Sequence, residues 1–168
     1  MAETTTPAAQ LEERIRTRTA TIGVIGLGYV GLPLLRAFFQ AGFPVIGFDV
    51  DREKIDMLKR GESYLKHLGT DFVRELARSD KFVATADGAE LANADAIILC
   101  VPTPLGRHGE PDMSYIEKST RMVAKVLRKG QLVSLESTTY PGTTRGDCQP
   151  ILAETGLDRL EFSDGLNI

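Results

Sequence analysis

Gly26, Gly28 and Gly31 are spaced as G-x-G-x-x-G, with Leu27, Tyr29 and Val30 filling the intervening positions. An apolar run, Thr21-Ile22-Gly23-Val24-Ile25, precedes them, and a helical pattern follows. In that context the chemistry suggested is the binding of a dinucleotide pyrophosphate. Gly26 permits the tight turn, Gly28 lets backbone approach the phosphates, and Gly31 lets the helix pack closely on the strand. The start of that helix then offers free N–H groups and a positive dipole end to the anion. Asp49 lies 18 residues beyond Gly31, where a second apolar run ends. An acid there accepts hydrogen bonds from the adenosine ribose and repels a 2′-phosphate, which favours NAD over NADP. Asp51 is its rival by position but reads as the cap of the next helix.

Two further segments place unusual residues where strands end. Cys100-Val101-Pro102-Thr103-Pro104-Leu105 joins two stiffening prolines to a hydroxyl on Thr103. Glu136-Ser137-Thr138-Thr139-Tyr140-Pro141-Gly142-Thr143-Thr144 carries several hydroxyls. In open α/β sheets ligands sit outside the carboxyl ends of the strands, so both segments border the expected crevice. The hydroxyls of the second would serve equally well as an ordinary helix N-cap.

The elements that must position these residues follow from periodicity. Apolar runs at 21–25, 44–48, 82–85, 94–101 and 131–135 read as strands, the fourth buried on both faces. Helical spacing predicts helices over 29–40, 52–60, 71–79, 114–129 and 143–154, with Gly42, Gly61 and Gly130 as stops. In the helix over 52–60, Ile55, Met57 and Leu58 face inward. Residues 1–9 read as a flexible tail, and 11–17 as a short charged helix. This alternation implies βαβ units and an α/β fold of the Rossmann type: a doubly wound, mainly parallel sheet of about six strands with helices on both faces. The division is an N-terminal extension, 1–19, and one dinucleotide-binding domain, 20–168.

Composition agrees. At 168 residues, 42% hydrophobic and 26% charged, the chain fits one globular domain. A net charge of −3 argues against a nucleic-acid surface, and no apolar run approaches the length of a membrane span. No secretory signal is visible at the N-terminus. Cys100 and Cys148 have no metal-ligand spacing with each other or with His67 and His108, so no metal is expected. Two cysteines suit a reducing cytoplasm.

Three segments taken in order carry a resemblance: Gly23-Val-Ile-Gly-Leu-Gly-Tyr-Val-Gly-Leu-Pro-Leu34, Cys100-Val-Pro-Thr-Pro104, and Glu136-Ser-Thr-Thr-Tyr-Pro-Gly-Thr-Thr144. Together they resemble the UDP-glucose/GDP-mannose dehydrogenase family over about Thr21 to Leu157. Within it, Gly61-Glu62-Ser63-Tyr64-Leu65-Lys66-His67 and the run Pro111 to Tyr115 are similar to the branch that oxidises UDP-N-acetylglucosamine. The UDP-glucose and UDP-N-acetylmannosamine branches share most of this pattern. The resemblance implies oxidation of a primary alcohol to a carboxylate with two NAD⁺, through a cysteine-bound intermediate. It places Gly26, Gly28 and Gly31 on the pyrophosphate, and Asp49 and Lys54 on the adenosine ribose. Pro102 and Thr103 would line the crevice, Ser137 and Thr138 would lie near the nicotinamide, and Thr138 would help orient a catalytic water. It also implies a UDP-sugar substrate and a homo-oligomeric full-length protein.

The family's chains run on through a Phe-Ser-Pro-Glu segment, a central helix and a UDP-binding domain, which carry the catalytic Glu, Lys, Asn and Cys. Here Phe162-Ser163 is followed by Asp164-Gly165-Leu166-Asn167-Ile168, which reads as a truncation or a shifted frame. Most of the sugar site and the activity are then expected outside this chain. Cys100 ends an apolar strand and reads as a buried, inert thiol rather than the nucleophile. Cys148 lies in a helix with no matching role, and His67 and His108 lack an orienting partner. Three other readings remain open: a dinucleotide-binding module without chemistry, a regulatory domain, and another Rossmann enzyme of the 6-phosphogluconate dehydrogenase type. The last leaves the threonine-rich segment unexplained.

Overall fold

A computed structural model describes residues 6–65, 68–106 and 109–157. In chain order the elements are α1 (Pro7–Arg16), β1 (Ile22–Ile25), α2 (Gly31–Gln40), β2 (Val45–Phe48), α3 (Arg52–Arg60), α4 (Thr70–Arg78), β3 (Phe82–Thr85), β4 (Ala96–Leu99), α5 (Ser114–Ala124), β5 (Leu132–Leu135) and α6 (Gln149–Ala153). The strands form one parallel sheet in the order β3-β2-β1-β4-β5. Five strands are found among the described residues, against the six expected.

Side chains that alternate along each strand feed two cores, as the two-fold strand period requires. Ile22, Val24, Val45, Ala96 and Ile98 face one side with Leu32, Leu35, Ile55, Leu58, Phe72 and Leu76 from α2, α3 and α4. Ile25, Ile46, Phe48, Ile97 and Leu99 face the other with Leu91, Val123 and Leu152. The sheet is therefore wound on both faces. In α3, Ile55 and Leu58 are buried and Met57 is half-buried.

Several boundaries differ from expectation, each for a local reason. Pro7–Ala9 belong to α1 rather than to a tail: the Thr6 hydroxyl accepts from the Ala9 N–H at 3.2 Å, and Pro7 occupies the first helical turn. Tyr29 and Val30 stay in the glycine turn, so α2 begins at Gly31. Helix α5 ends at Ala124 instead of Lys129. There the chain leaves through i→i−3 bonds, Lys125 to Met122 and Val126 to Val123. Arg128 is freed to turn back onto the Ala92 and Ala94 carbonyls and Asp95. The helix expected over 143–154 is found as a continuous helical run to Ala153, but Thr144–Cys148 is wound wide, with the Gln149 N–H bonded to the Thr144 carbonyl, before α6. Pro150 has no N–H to donate, which accounts for the widening.

Candidate functional site

Register fixes where the loops meet. Ile25 pairs with Phe48 and Leu99, and Leu99 pairs with Leu135, so β1, β2, β4 and β5 end level. The residues that follow, Gly26, Asp49, Cys100 and Glu136, therefore share one edge. The connections diverge between β1 and β4, on opposite faces of the sheet. That reversal is the topological switch point at which such sheets bind ligands. All of the candidate residues except Lys54, which reaches in from α3, stand on loops at this edge or on the first residue of α2.

The glycine turn is built as its spacing requires. Gly26 has φ +88°, and a Cβ there would lie 2.6 Å from the Cys100 carbonyl oxygen. A Cβ on Gly31 would lie 1.8 Å from the Gly26 oxygen, so α2 enters at backbone contact. Gly28 is the opposite case, with nothing within 4 Å of where its Cβ would be. The first and third glycines serve the fold, and the second leaves open space. Helix α2 has no side-chain cap and no acid in its first turn, whereas Asp51 caps α3 by accepting from the Glu53 N–H at 3.0 Å. An uncapped start without negative charge suits an anion. Tyr29 and Val50 flank this mouth, 78% and 81% exposed.

Asp49 is only 6% exposed. Its carboxylate accepts from the Leu27 N–H at 2.8 Å and the Asp51 N–H at 2.9 Å, and Lys54 Nζ lies 3.3 Å away. Asp49 thus braces the glycine turn as well as standing at the end of β2. A carboxylate has about four acceptor sites, so these bonds leave capacity for a ribose hydroxyl. Lys54 stands beside it, 5.9 Å from the Tyr64 ring centre.

On the far side of the switch, Ser137 Oγ donates to the Val101 carbonyl at 2.8 Å, tying the two strand-end loops together. Thr138 and Pro102 are exposed, and Thr103 is half-buried. Cys100 is buried, and burial, with a smaller effect from Glu136, pushes its thiol up to about 11. Cys148 is buried too, with its thiol raised mainly by burial, and lies 3.6 Å from Thr120 Oγ1. Neither is disposed as a nucleophile. His67 and His108 lie outside the described residues. Tyr64, which sequence reasoning gave no role, donates from its hydroxyl to the Leu27 carbonyl at 2.7 Å. A partner 37 residues away leaves no local signal.

These features define the class first: a doubly wound, dinucleotide-binding domain with its glycine turn at the switch point. The model of the UDP-glucose/GDP-mannose dehydrogenase family, NAD binding domain, matches residues 20–164, and the chain belongs to this family. NAD is accordingly its cofactor, and the open space over Gly28, the uncapped α2 and the spare acceptors of Asp49 fit it. The chain is 42% identical over 125 residues to the UDP-N-acetyl-D-mannosamine dehydrogenase of Escherichia coli (strain K12), covering 74% of this chain and 29% of that protein. It is 37% identical over 131 residues to the UDP-N-acetyl-D-glucosamine 6-dehydrogenase of Pseudomonas aeruginosa, covering 78% and 30%. The crystal structure of an NDP-N-acetyl-D-galactosaminuronic acid dehydrogenase from Methanosarcina mazei Go1 superposes with a TM-score of 0.79 at 36% identity, covering 90% of this chain and 34% of that one. The chain thus spans about 30% of the length of these curated relatives. Among the described residues, no helix is long and apolar enough to cross a membrane.

Proposed function

We propose that this chain is the NAD⁺-binding part of a nucleotide-sugar 6-dehydrogenase that oxidises the C6 alcohol of a UDP-N-acetylhexosamine to the carboxylate, with UDP-N-acetylglucosamine as the substrate. The observation that carries the reading is the glycine turn, closed at Gly26 and Gly31 but open at Gly28, braced by Asp49 at the switch point. Bound there, NAD⁺ supplies a hydride acceptor. Gly26, Gly28 and Gly31 hold the pyrophosphate by backbone, and Asp49 with Lys54 takes the adenosine ribose. Pro102 and Thr103 line the crevice, Ser137 fixes the loop beside the nicotinamide, and exposed Thr138 helps orient the water that hydrolyses the cysteine-bound intermediate. The Gly61–His67 and Pro111–Tyr115 segments are similar to the N-acetylglucosamine branch, and the N-acetylmannosamine and glucose branches share most of this pattern. Most contacts to the UDP-sugar and the covalent step are assigned to the remaining length of the relatives. By itself this chain binds the cofactor without turning it over.

Isothermal titration with NAD⁺ tests the cofactor part of this reading. Gly28→Ala introduces a Cβ that meets no protein atom but occupies the space a pyrophosphate needs. Its NAD⁺ affinity falls by about tenfold or more while its melting temperature holds. Equal affinity in wild type and variant would remove the pyrophosphate from this turn. Reduction of NAD⁺ by the full-length protein, compared across the three UDP-sugars, tests the substrate.

A further inference from the structure

We infer that Tyr64 is a positioning residue for the dinucleotide, holding the Leu27–Gly28 peptide so that the Gly28 N–H points away from the protein toward the cofactor. The inference rests on the reading of the turn as a pyrophosphate cradle. Leu27 is held from both of its peptide groups. Its N–H donates to Asp49 Oδ2 at 2.8 Å, and its carbonyl accepts from the Tyr64 hydroxyl at 2.7 Å, while its side chain is fully buried.

The geometry has a direct consequence. In a trans peptide the C=O and the next residue's N–H are antiparallel in one plane. A bond that fixes the Leu27 carbonyl therefore fixes the Gly28 N–H in the opposite direction, at the glycine with open space around it. A donor on the carbonyl also polarises the amide, which strengthens that N–H as a donor to an anion. Between two glycines this peptide would otherwise be the least restrained part of the turn.

Tyr64 is well made for this task. It follows α3 and the left-handed Gly61, half-buried against the core that α2, α3 and α4 share. Lys54, which bridges to Asp49, lies near its ring. Burial, helped by Asp49 and Asp51, raises the phenol well above its ordinary value, so it stays a donor at every working pH. The braces on the turn thus come from two places, Asp49 at the end of β2 and Tyr64 on the α3–α4 connection, joined through Lys54.

Tyr64→Phe tests the inference, because it deletes the hydroxyl and keeps the ring packing. Titration with NAD⁺ gives a Kd about three- to tenfold weaker than wild type, the effect of one net hydrogen bond. Amide exchange measured by NMR accelerates at Leu27, whose N–H is bonded to Asp49, but not in β1, β2 or β4. A purely structural role would instead lower protection across the sheet, and that outcome would overturn the inference. So would wild-type NAD⁺ affinity in Tyr64→Phe. Failure of the wild-type chain to bind NAD⁺ would remove the cradle itself, a result distinct from a variant that binds equally well.

Discussion

Two buried aspartates stand at opposite ends of the sheet. Asp95, 2% exposed, precedes β4 at the amino ends of the strands, and Asp49, 6% exposed, follows β2 at the carboxyl ends. Asp95 accepts from the Thr21 N–H at 2.8 Å, from Arg14 at 2.6 Å and from Arg128 at 2.8 Å. Two guanidinium groups and an amide thus close the site with the protein's own donors. Asp49 accepts from two backbone amides and one ammonium at 3.3 Å, beside a mouth left open by Gly28. The contrast separates stability from binding. Where the fold is anchored, the acid is matched by its own chain; where the cofactor is proposed to sit, the acid is held in place with acceptor capacity left over.

The largest effect that would test this division comes from the anchored end. Asp95→Ala leaves a part-buried amide without its acceptor and two guanidinium groups without their shared partner. Both arginines are half-exposed, so water takes over part of the loss, and the cost is about 3 kcal/mol rather than the larger value of a fully buried pair. Thermal unfolding shows it as a drop on the order of 10 °C for a chain of this length. Below that temperature, NAD⁺ affinity stays within about twofold of wild type, since the ends are more than a few contacts apart. A tenfold loss of affinity would break the comparison.

At the binding end the order of effects reverses. Asp49→Asn keeps an acceptor for the Leu27 N–H but removes the charge that opposes Lys54 and a 2′-phosphate. NAD⁺ binding weakens about tenfold, as expected when a charge-assisted bond becomes neutral. The preference for NAD⁺ over NADP⁺ narrows at the same time. Melting temperature moves by only a few degrees, about 1 kcal/mol. Titration with both dinucleotides measures this, and unchanged discrimination between them would take Asp49 out of ribose recognition.

The same contrast explains how much could be read from sequence. The glycine turn and the strand-end place of Asp49 were legible because their signal is local: spacing, a preceding strand and a strand-end acid suffice. Strands β1 to β5 and α2 to α4 were legible within one or two residues at their ends, because apolar periodicity and stops at Gly42 and Gly61 are also local. Asp95 carried no signal at all. Its partners lie 81 and 33 residues away, and a buried acid looks like any surface acid until the fold assembles its cations. Tyr64 was hidden for the same reason. The end of α5 was misjudged because Arg128 is drawn to Asp95, and no periodicity records that pull. The start of α1 was missed differently, since Thr6 followed by Pro7 is a local signal that the charged run after it obscured.

Strand β4 joins the two ends, with Asp95 before it and Cys100 after it. Cys100 lies under the glycine turn, its Cβ 3.2 Å from where a Cβ on Gly31 would be, and its carbonyl closing on Gly26. It therefore belongs to the floor of the proposed cofactor site and not to its reactive surface. With the thiol at about 11, only about one molecule in a thousand carries a thiolate at pH 8. Folding raises this group above its unfolded value of about 8.5, so its contribution to stability is full below that pH. That contribution is lost as pH rises from about 8.5 toward 11, where the unfolded chain has already released the proton. Thiol titration of the native chain at pH 8 should accordingly find both cysteines unreactive, and in denaturant both should react. Rapid native labelling of Cys100 would mean that the floor opens, and the carboxyl end would then be less rigid than the bonds to Leu27 require.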